Sequence, residues 1–211
     1  IGLGIGMIAL GNEAYGNSPE ELRADWTGGH DGYVSDIYHY HVELCPNKPG
    51  ALDLMLKWRE ELFRACSDIK LDHIWFGPYD QGGCLCEQCE PWGGNGFLKA
   101  AEPVARLVGE YFPKAEIVLS TWCFGYQYPN EWDVFAKEFA EKPDWVDYLM
   151  VDSHNDFPEF VREHGAPGGL PVLNFPVPIG AVYALRYSYM PSIGLALIIS
   201  GLLNELYEKK K

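Results

Sequence analysis

Carboxylate side chains follow three short apolar segments of the chain and are the first candidates for chemistry. They are Glu13, Asp80 and Asp152. An acid that begins a helix or precedes glycines in a turn also has an ordinary structural explanation. Three acids at three predicted strand ends exceed what turns require. Glycoside hydrolysis needs two, one protonated acid and one ionised nucleophile or base. We therefore expect Glu13 to act as the acid/base, with Asp152 or Asp80 as its partner.

Polar and aromatic residues accompany these carboxylates, and we expect them to contact the hydroxyls and ring faces of a sugar. They are Asn12, Tyr79, Gln81, Trp122 and His154. Trp122 directly follows an apolar segment, which makes it the strongest candidate for stacking on a pyranose ring. Burial of its indole in the core is the alternative. The predicted partner is thus a carbohydrate substrate, a glycan of plant or microbial origin.

Three cysteines lie within six residues of one another as Cys84-x-Cys86-x-x-Cys89. Structural zinc takes four tetrahedral ligands, so a fourth must come from elsewhere, with Cys45 or a nearby histidine as candidates. Free thiols and a disulfide are the alternatives, because the motif lacks the second cysteine pair of a complete zinc signature. If a metal binds, we expect it to fix the loop rather than to catalyse, and we expect no cofactor for catalysis.

A second metal hypothesis comes from the pair His39-Tyr40-His41. A His-x-His pair at a strand end is how amidohydrolase-type barrels begin a catalytic metal site, and Asp152 and His154 are available as later ligands. No lysine follows a middle strand to bridge two metals. A metal-dependent hydrolase is therefore the weaker alternative to a glycosidase.

Short apolar segments alternate with helical patterns along nearly the whole chain. The apolar segments are 7–10, 73–76, 116–121, 146–151 and 171–175. They are apolar on both faces, which is typical of buried strands in a parallel sheet. Ser18 followed by Pro19 and Glu21 predicts a capped helix, and further helices are expected after Pro49, from Asn95 or Gly96, after a cap at Asn130, and over 157–164.

This alternation predicts one α/β domain over residues 1–211, a (β/α) TIM-like barrel, complete or incomplete. The glycines at 2, 4 and 6 precede the first predicted strand, so they do not form a phosphate loop after it. Residues 178–211 form an atypical C-terminal tail. An open doubly wound sheet is the alternative, but the polar groups that follow successive strands favour a barrel, because barrel enzymes place such groups around their substrate.

The charge balance restricts the class of partner. The chain has 211 residues with 30 Asp and Glu against 16 Lys and Arg, a net charge of -14. This balance argues against nucleic acid and anionic membrane as partners. The longest apolar run, 193–199, is shorter than the roughly 20 residues that span a bilayer. No signal-peptide pattern opens the chain, which slightly favours the cytoplasm. The oligomeric state stays open.

The segment 76–89, Phe-Gly-Pro-Tyr-Asp-Gln-Gly-Gly-Cys-Leu-Cys-Glu-Gln-Cys, is followed by Pro-Trp-Gly-Gly-Asn-Gly-Phe at 91–97. It resembles bacterial proteins of the glycoside-hydrolase TIM-barrel clan, near the hexosaminidase and α-glucuronidase-like families, some of which carry Asp-Gly-Gly before a CxCxxC loop. The resemblance continues through 111–122 and 171–176 and covers about half of the chain. It implies a barrel with glycosidase chemistry and Asp80 as a site residue.

Two further sequence features bear on glycosidase activity, one for it and one against it. Asn12-Glu13 is similar to the Asn-Glu acid/base dipeptide of the large retaining-glycosidase clan. After residue 176, however, the chain offers no further strand-end carboxylate where such a barrel would place one. A carbohydrate-binding or structural barrel without catalysis is therefore the alternative function.

Overall fold

A five-stranded parallel sheet forms the centre of the computed structural model, which describes residues 6–10, 18–24, 44–78, 83–122, 124–125, 128–151 and 158–173. The strands are β1 (Gly6–Leu10), β2 (His73–Gly77), β3 (Glu116–Ser120), β4 (Tyr148–Met150) and β5 (Val172–Leu173). Their order in the sheet is their order in the chain, and each pairs in parallel with the next. The predicted parallel sheet is confirmed.

Helices alternate with these strands, as the sequence predicts. They are α1 (Ala51–Ala65), α2 (Gly96–Tyr111), α3 (Glu131–Glu138) and α4 (Glu159–His164). In the part of the chain that the structure describes, one α-helix lies between each pair of consecutive strands. This alternation confirms the α/β class. Among the described residues, no helix combines the length and apolar character needed to cross a membrane.

Alternate side chains of the central strands fill the main core. Those that face it are Ile74, Phe76, Ile117, Leu119 and Leu149. The helices contribute their own buried residues from the other side, among them Phe63, Val104, Val108 and Phe135. Full burial of one such side chain stabilises the fold by about 1.5–3 kcal/mol. Because strand side chains alternate between faces, this burial fixes which residues face away from the helices.

The opposite face of the sheet is polar at the amino ends of the strands. His73 Nδ1 lies 3.2 Å from Glu116 Oε2, and these two residues are paired in register. The hydroxyl of Tyr148 donates a hydrogen bond to Glu116 Oε1 at 3.2 Å. Since the carboxyl ends of the strands lie at the other edge of the sheet, this cluster is separate from the loops with the predicted site residues.

Aromatic packing holds α3 against the sheet. The ring of Phe135 stacks on Phe139 with centroids 4.4 Å apart, and Phe124 meets Phe135 edge-on at 5.2 Å. Trp132 stacks on Phe160 of α4 with an interplanar angle of 12°. Such pairs contribute about 0.5–1.5 kcal/mol each beyond the area they bury. They fix the loop after β3 and the helices that follow it.

The two predicted helix caps are wrong in detail. Within the described residues 18–24 the element after Ser18 is one 3-10 turn, Glu20–Leu22, and its N-cap residue is Pro19, which has no side-chain capping bond. The turn ends because Arg23 pairs with Leu44 in an isolated bridge, so long-range pairing overrides the local signal. Asn130 does precede α3, but its backbone at φ -92° and ψ 9° is not the extended conformation of a capping residue, and its side chain makes no capping bond.

Candidate metal centre

Four cysteine sulfurs cluster beside the loop between β2 and α2. The Sγ atoms of Cys45, Cys84, Cys86 and Cys89 all lie within 4.8 Å of one another. Cys45 Sγ is 3.8 Å from both Cys86 Sγ and Cys89 Sγ. A tetrahedral zinc with Zn–S bonds of about 2.3 Å places its sulfurs about 3.8 Å apart. The sulfur spacing therefore fits a four-cysteine metal site such as that of zinc.

The cluster answers two questions that the sequence left open. Cys45, and not a histidine, joins the three clustered cysteines. A disulfide is excluded among the described cysteines, since each of them is free and sulfurs 3.8 Å apart exceed the bonded distance of about 2.05 Å. Cys66 is also free but does not belong to the cluster.

The glycine-rich sequence around the cysteines is explained by packing on one tryptophan. Trp92 is fully buried, and its Nε1 donates a hydrogen bond to the carbonyl oxygen of Pro78 at 2.6 Å. A Cβ atom at Gly83 would lie 2.4 Å from the indole Cγ, and one at Gly96 would lie 2.5 Å from the same ring. Only glycine fits at both positions. The loop thus folds around the indole and brings its cysteines together.

Cys45 is held in place by hydrogen bonds of its own segment. Its backbone N–H donates to the carbonyl oxygen of Leu22 at 3.0 Å, and its carbonyl oxygen accepts a bond from the N–H of Lys48 at 3.0 Å. The ammonium of Lys48 donates to the carbonyl oxygen of Arg23 at 2.6 Å. Cys45 is almost fully buried. The fourth sulfur therefore comes from a turn before α1 that has hydrogen bonds of its own in addition to its contacts with the other cysteines.

Hydrogen bonding within the cluster lowers the pKa of one thiol and raises the pKa of another. The pKa of Cys45 is lowered to about 3, because the thiols of Cys84 and Cys89 donate hydrogen bonds to its sulfur; burial opposes this effect. The pKa of Cys89 is raised, chiefly because its proton is held by Cys45 and by Cys84. A cation bound among the four sulfurs would take the place of the protons that these thiols share.

Two polar residues lie on the outside of the cluster. The Nδ2 of Asn47 donates a hydrogen bond to Cys89 Sγ at 3.1 Å. The ammonium of Lys99, an exposed residue of α2, donates to Asn47 Oδ1. Neither residue stands out in the sequence. Their partners lie 42 and 52 positions away, so no local pattern reveals them.

A buried carboxylate ties the cysteine loop to the next loop of the fold. Glu131, the first residue of α3, is fully buried. Its Oε1 accepts a hydrogen bond from the N–H of Gly93 at 2.7 Å, and its Oε2 accepts one from Gly125 at 2.9 Å. In the sequence Glu131 looks like an ordinary acid in the first turn of a helix. Nothing in the sequence marks it as a link between loops.

Tyr128 lies close to the same centre. Burial raises the pKa of its phenol to about 12, and the negative charges of Glu90 and Glu131 act in the same direction. Its hydroxyl is buried and has no hydrogen-bond partner in the part of the chain that the structure describes.

The other predicted site residues fall almost entirely outside the described residues. This holds for the carboxylates Glu13, Asp80 and Asp152, for the binding candidates Asn12, Tyr79, Gln81 and His154, and for His39 and His41. Trp122 is described: its ring is partly buried and packs against the main core. The backbone N–H of Trp122 donates to Ser120 Oγ at 3.0 Å. Stacking of Trp122 on a sugar stays a prediction.

Comparison of the chain with protein families, curated proteins and solved structures found no match. The resemblance to the glycoside-hydrolase clan therefore depends on the sequence motif alone. The structure provides two further observations, the order of the strands and the four-cysteine candidate metal centre.

Proposed function

We propose that the four cysteines bind one structural Zn²⁺. The observation that carries this proposal is the spacing of the sulfurs, which matches the edges of a zinc–thiolate tetrahedron. Four protein ligands fill the tetrahedron and leave no position for a water or substrate. The ion would therefore stabilise the loop and take no part in a reaction.

The ion would join two distant parts of the chain. Cys45 belongs to the turn before α1, whereas Cys84, Cys86 and Cys89 belong to the loop between β2 and α2. This loop leaves the carboxyl end of β2, where the sequence places Asp80. Fixing the loop at a tetrahedral anchor would limit the positions open to the residues that precede it.

Zinc content tests this site directly. We expect one zinc per chain in the wild type by native mass spectrometry. Cys86→Ser is expected to lose the ion or bind it much more weakly. Cys66→Ser is the matched control, because Cys66 is also a free, partly buried cysteine but stands outside the cluster. Equal zinc content in all three proteins would overturn the proposal.

We further propose that the fold is a (β/α) barrel of glycoside-hydrolase type, complete or incomplete. The order β1-β2-β3-β4-β5 supports this, because a doubly wound sheet reverses its strand order at a switch point and a barrel does not. Right-handed crossovers that always step in one direction put the helices on one face. The edge-on contact of Phe63 in α1 with Phe112 at the end of α2, centroids 5.6 Å apart, agrees with this.

The three proposed catalytic carboxylates and the proposed stacking residue Trp122 follow neighbouring strand ends. Glu13 and Asp80 come three residues after the last residues of β1 and β2, and Trp122 and Asp152 come two residues after those of β3 and β4. The carboxyl ends of parallel strands share one edge, about 4.8 Å apart from strand to strand. Glycosidase carboxylates are about 5–9.5 Å apart, a separation within reach of groups at this edge.

A panel of aryl glycosides and plant polysaccharides tests this activity. We expect turnover in the wild type, loss of at least about a hundredfold in Asp80→Asn and Glu13→Gln, and full activity in the exposed control Asp68→Asn. Turnover that survives in both carboxylate variants would remove these residues from the mechanism. Glycan binding without any turnover would replace the hydrolase by a carbohydrate-binding barrel.

A further inference from the structure

One residue, Asn47, donates hydrogen bonds to two sulfurs of the cysteine cluster, one from its side-chain amide and one from its backbone. The Nδ2 of Asn47 donates to Cys89 Sγ at 3.1 Å. The backbone N–H of the same residue donates to the sulfur of Cys45. Asn47 therefore contacts one cysteine from its own turn and one from the loop after β2. It is placed where the two halves of the cluster meet.

Lys99 determines which way this amide faces. Its ammonium donates to Asn47 Oδ1. An ammonium has only donors, so it must face the amide oxygen, and the amide nitrogen is then directed at the sulfur. Asn47 is partly buried and Lys99 is exposed at the start of α2. The chain of contacts runs from solvent, through Lys99 and Asn47, to the fully buried Cys89.

The net charge of a zinc-bound cluster explains why these contacts would matter. Four thiolates and one Zn²⁺ carry a net charge of minus two, and burial of uncompensated charge is costly. A hydrogen bond to a thiolate sulfur and a nearby cation both compensate it. Neither Asn47 nor Lys99 is among the four ligands, so both act through Cys89.

We propose that Asn47 and Lys99 are a positioning pair that holds Cys89 as a metal-bound thiolate and sets the zinc affinity of the cluster. The inference rests on the proposed zinc site and extends it from the ligands to the residues that orient them. Outer partners of metal ligands typically change metal affinity by about 10–100-fold when they are removed.

Four variants of the full chain separate this role from general stability. Asn47→Asp keeps an oxygen for Lys99 but turns a second oxygen towards the sulfur, so zinc affinity should fall at least about tenfold. Lys99→Met should lower the zinc affinity by a smaller factor. Lys99→Arg keeps a cationic donor and should have the zinc affinity of the wild type. Lys114→Met removes an exposed lysine remote from the cluster and should leave it unchanged.

Zinc affinity is measured by competition with a chromophoric chelator, after a thermal melt has shown that each variant folds. The thiolate-to-metal charge-transfer band of the Co²⁺-loaded protein is the second readout. Loss of the N–H···S bond raises the energy of the sulfur electrons, so the band of Asn47→Asp should move to longer wavelength. A general loss of stability would not move it. Lys99→Met lies on the helix surface and tests the pair even if Asn47→Asp fails to fold.

The outcomes distinguish the two proposals. A wild type that binds no zinc overturns the metal site and the positioning pair together. A wild type that binds one zinc, with unchanged affinity and an unshifted Co²⁺ band in Asn47→Asp and Lys99→Met, overturns the pair and leaves the metal site standing. Reduced affinity with a shifted band, rescued in Lys99→Arg, supports the pair.

Discussion

Glu131 Oε1 accepts a hydrogen bond of 2.7 Å from the backbone N–H of Gly93, in the loop that carries the cysteine cluster. Its second oxygen accepts one from Gly125, in the loop after β3. Because Glu131 begins α3, its negative charge also lies at the positive end of that helix. One buried carboxylate thus fixes two adjacent loops at the carboxyl edge of the sheet, and the cysteine cluster fixes the first of them a second time.

Glu131→Gln should destabilise the protein. The amide nitrogen of glutamine would face the N–H of Gly93 or Gly125, so one buried hydrogen bond is lost and two donors oppose each other. We expect a loss of about 1–3 kcal/mol in the free energy of unfolding, measured in urea. Glu138→Gln, at the exposed end of the same helix, should change it by less than about 0.5 kcal/mol. Equal effects of the two substitutions would show that Glu131 does not hold the loops.

Two glycine substitutions in α2 should have opposite effects. A Cβ at Gly96 would lie 2.5 Å from the ring of Trp92 and 2.8 Å from Cys89 Cβ, so Gly96→Ala forces the tryptophan and the cysteine loop apart. We expect it to cost about 1–3 kcal/mol. A Cβ at Gly109 meets nothing within 4 Å, and Gly109→Ala should stabilise the helix by about 0.5–1 kcal/mol. Chemical denaturation of both variants checks the sign. A stable Gly96→Ala protein would refute the packing account of the glycine-rich motif.

Tyr128→Phe should stabilise the protein near neutral pH. The hydroxyl is buried without a partner among the described residues, and burial of an unsatisfied hydroxyl costs about 1–3 kcal/mol in proteins. Tyr148→Phe is the contrasting variant, because the Tyr148 hydroxyl donates to Glu116 and its loss should be neutral or unfavourable. The urea midpoints of unfolding at pH 7 show whether each substitution raises or lowers the stability. A less stable Tyr128→Phe protein would mean that the hydroxyl has a partner.

The same tyrosine predicts a loss of stability in alkali. Burial raises the pKa of Tyr128 from 10.0 to about 12, so the folded state holds this proton more tightly than the unfolded state. Below pH 10 the phenol is neutral in both states and its titration does not affect stability, whereas the free energy of unfolding falls as the pH rises from 10 towards 12. The wild type should therefore lose stability in this range more steeply than Tyr128→Phe. If the free energy of unfolding fell equally steeply with pH in the two proteins, the raised pKa would be contradicted.

Metal removal should lower the melting temperature reversibly. A ligand that binds only the folded state at a hundred times its Kd stabilises it by about 2.7 kcal/mol. A strong chelator should remove this contribution, and added Zn²⁺ should restore it. Acid should do the same, because protons compete with the metal for the thiolates. Cys45→Ser should melt at one temperature with or without chelator. If the chelator left the melting temperature of the wild type unchanged as well, the metal site would be contradicted.

Much of the fold could be predicted because its elements are local patterns. The five strands are short apolar runs, and α2 and α3 follow the predicted Asn95 and Asn130 positions. Cys45 could be named as a ligand candidate by its residue type alone. The helix at Ser18 was wrong because Arg23 pairs with Leu44, a contact that no local signal contains.

The connections within the metal centre could not be predicted. Asn47 and Glu131 act over sequence separations of 42 and 38 residues, and each looks in the sequence like an ordinary turn or helix-end residue. The glycines around Trp92 were visible in the sequence, but their reason lies in the close approach of backbone to indole. Such contacts follow from the packed fold, which composition and periodicity do not determine.

Zinc K-edge X-ray absorption of the purified protein identifies the atoms bound to the metal. We expect four sulfur neighbours at about 2.3 Å and no nitrogen or oxygen neighbour. Three sulfurs with one nitrogen or oxygen at about 2.0–2.1 Å would contradict this expectation, since one of the four cysteines would then stand outside the site and a position for catalysis would be open.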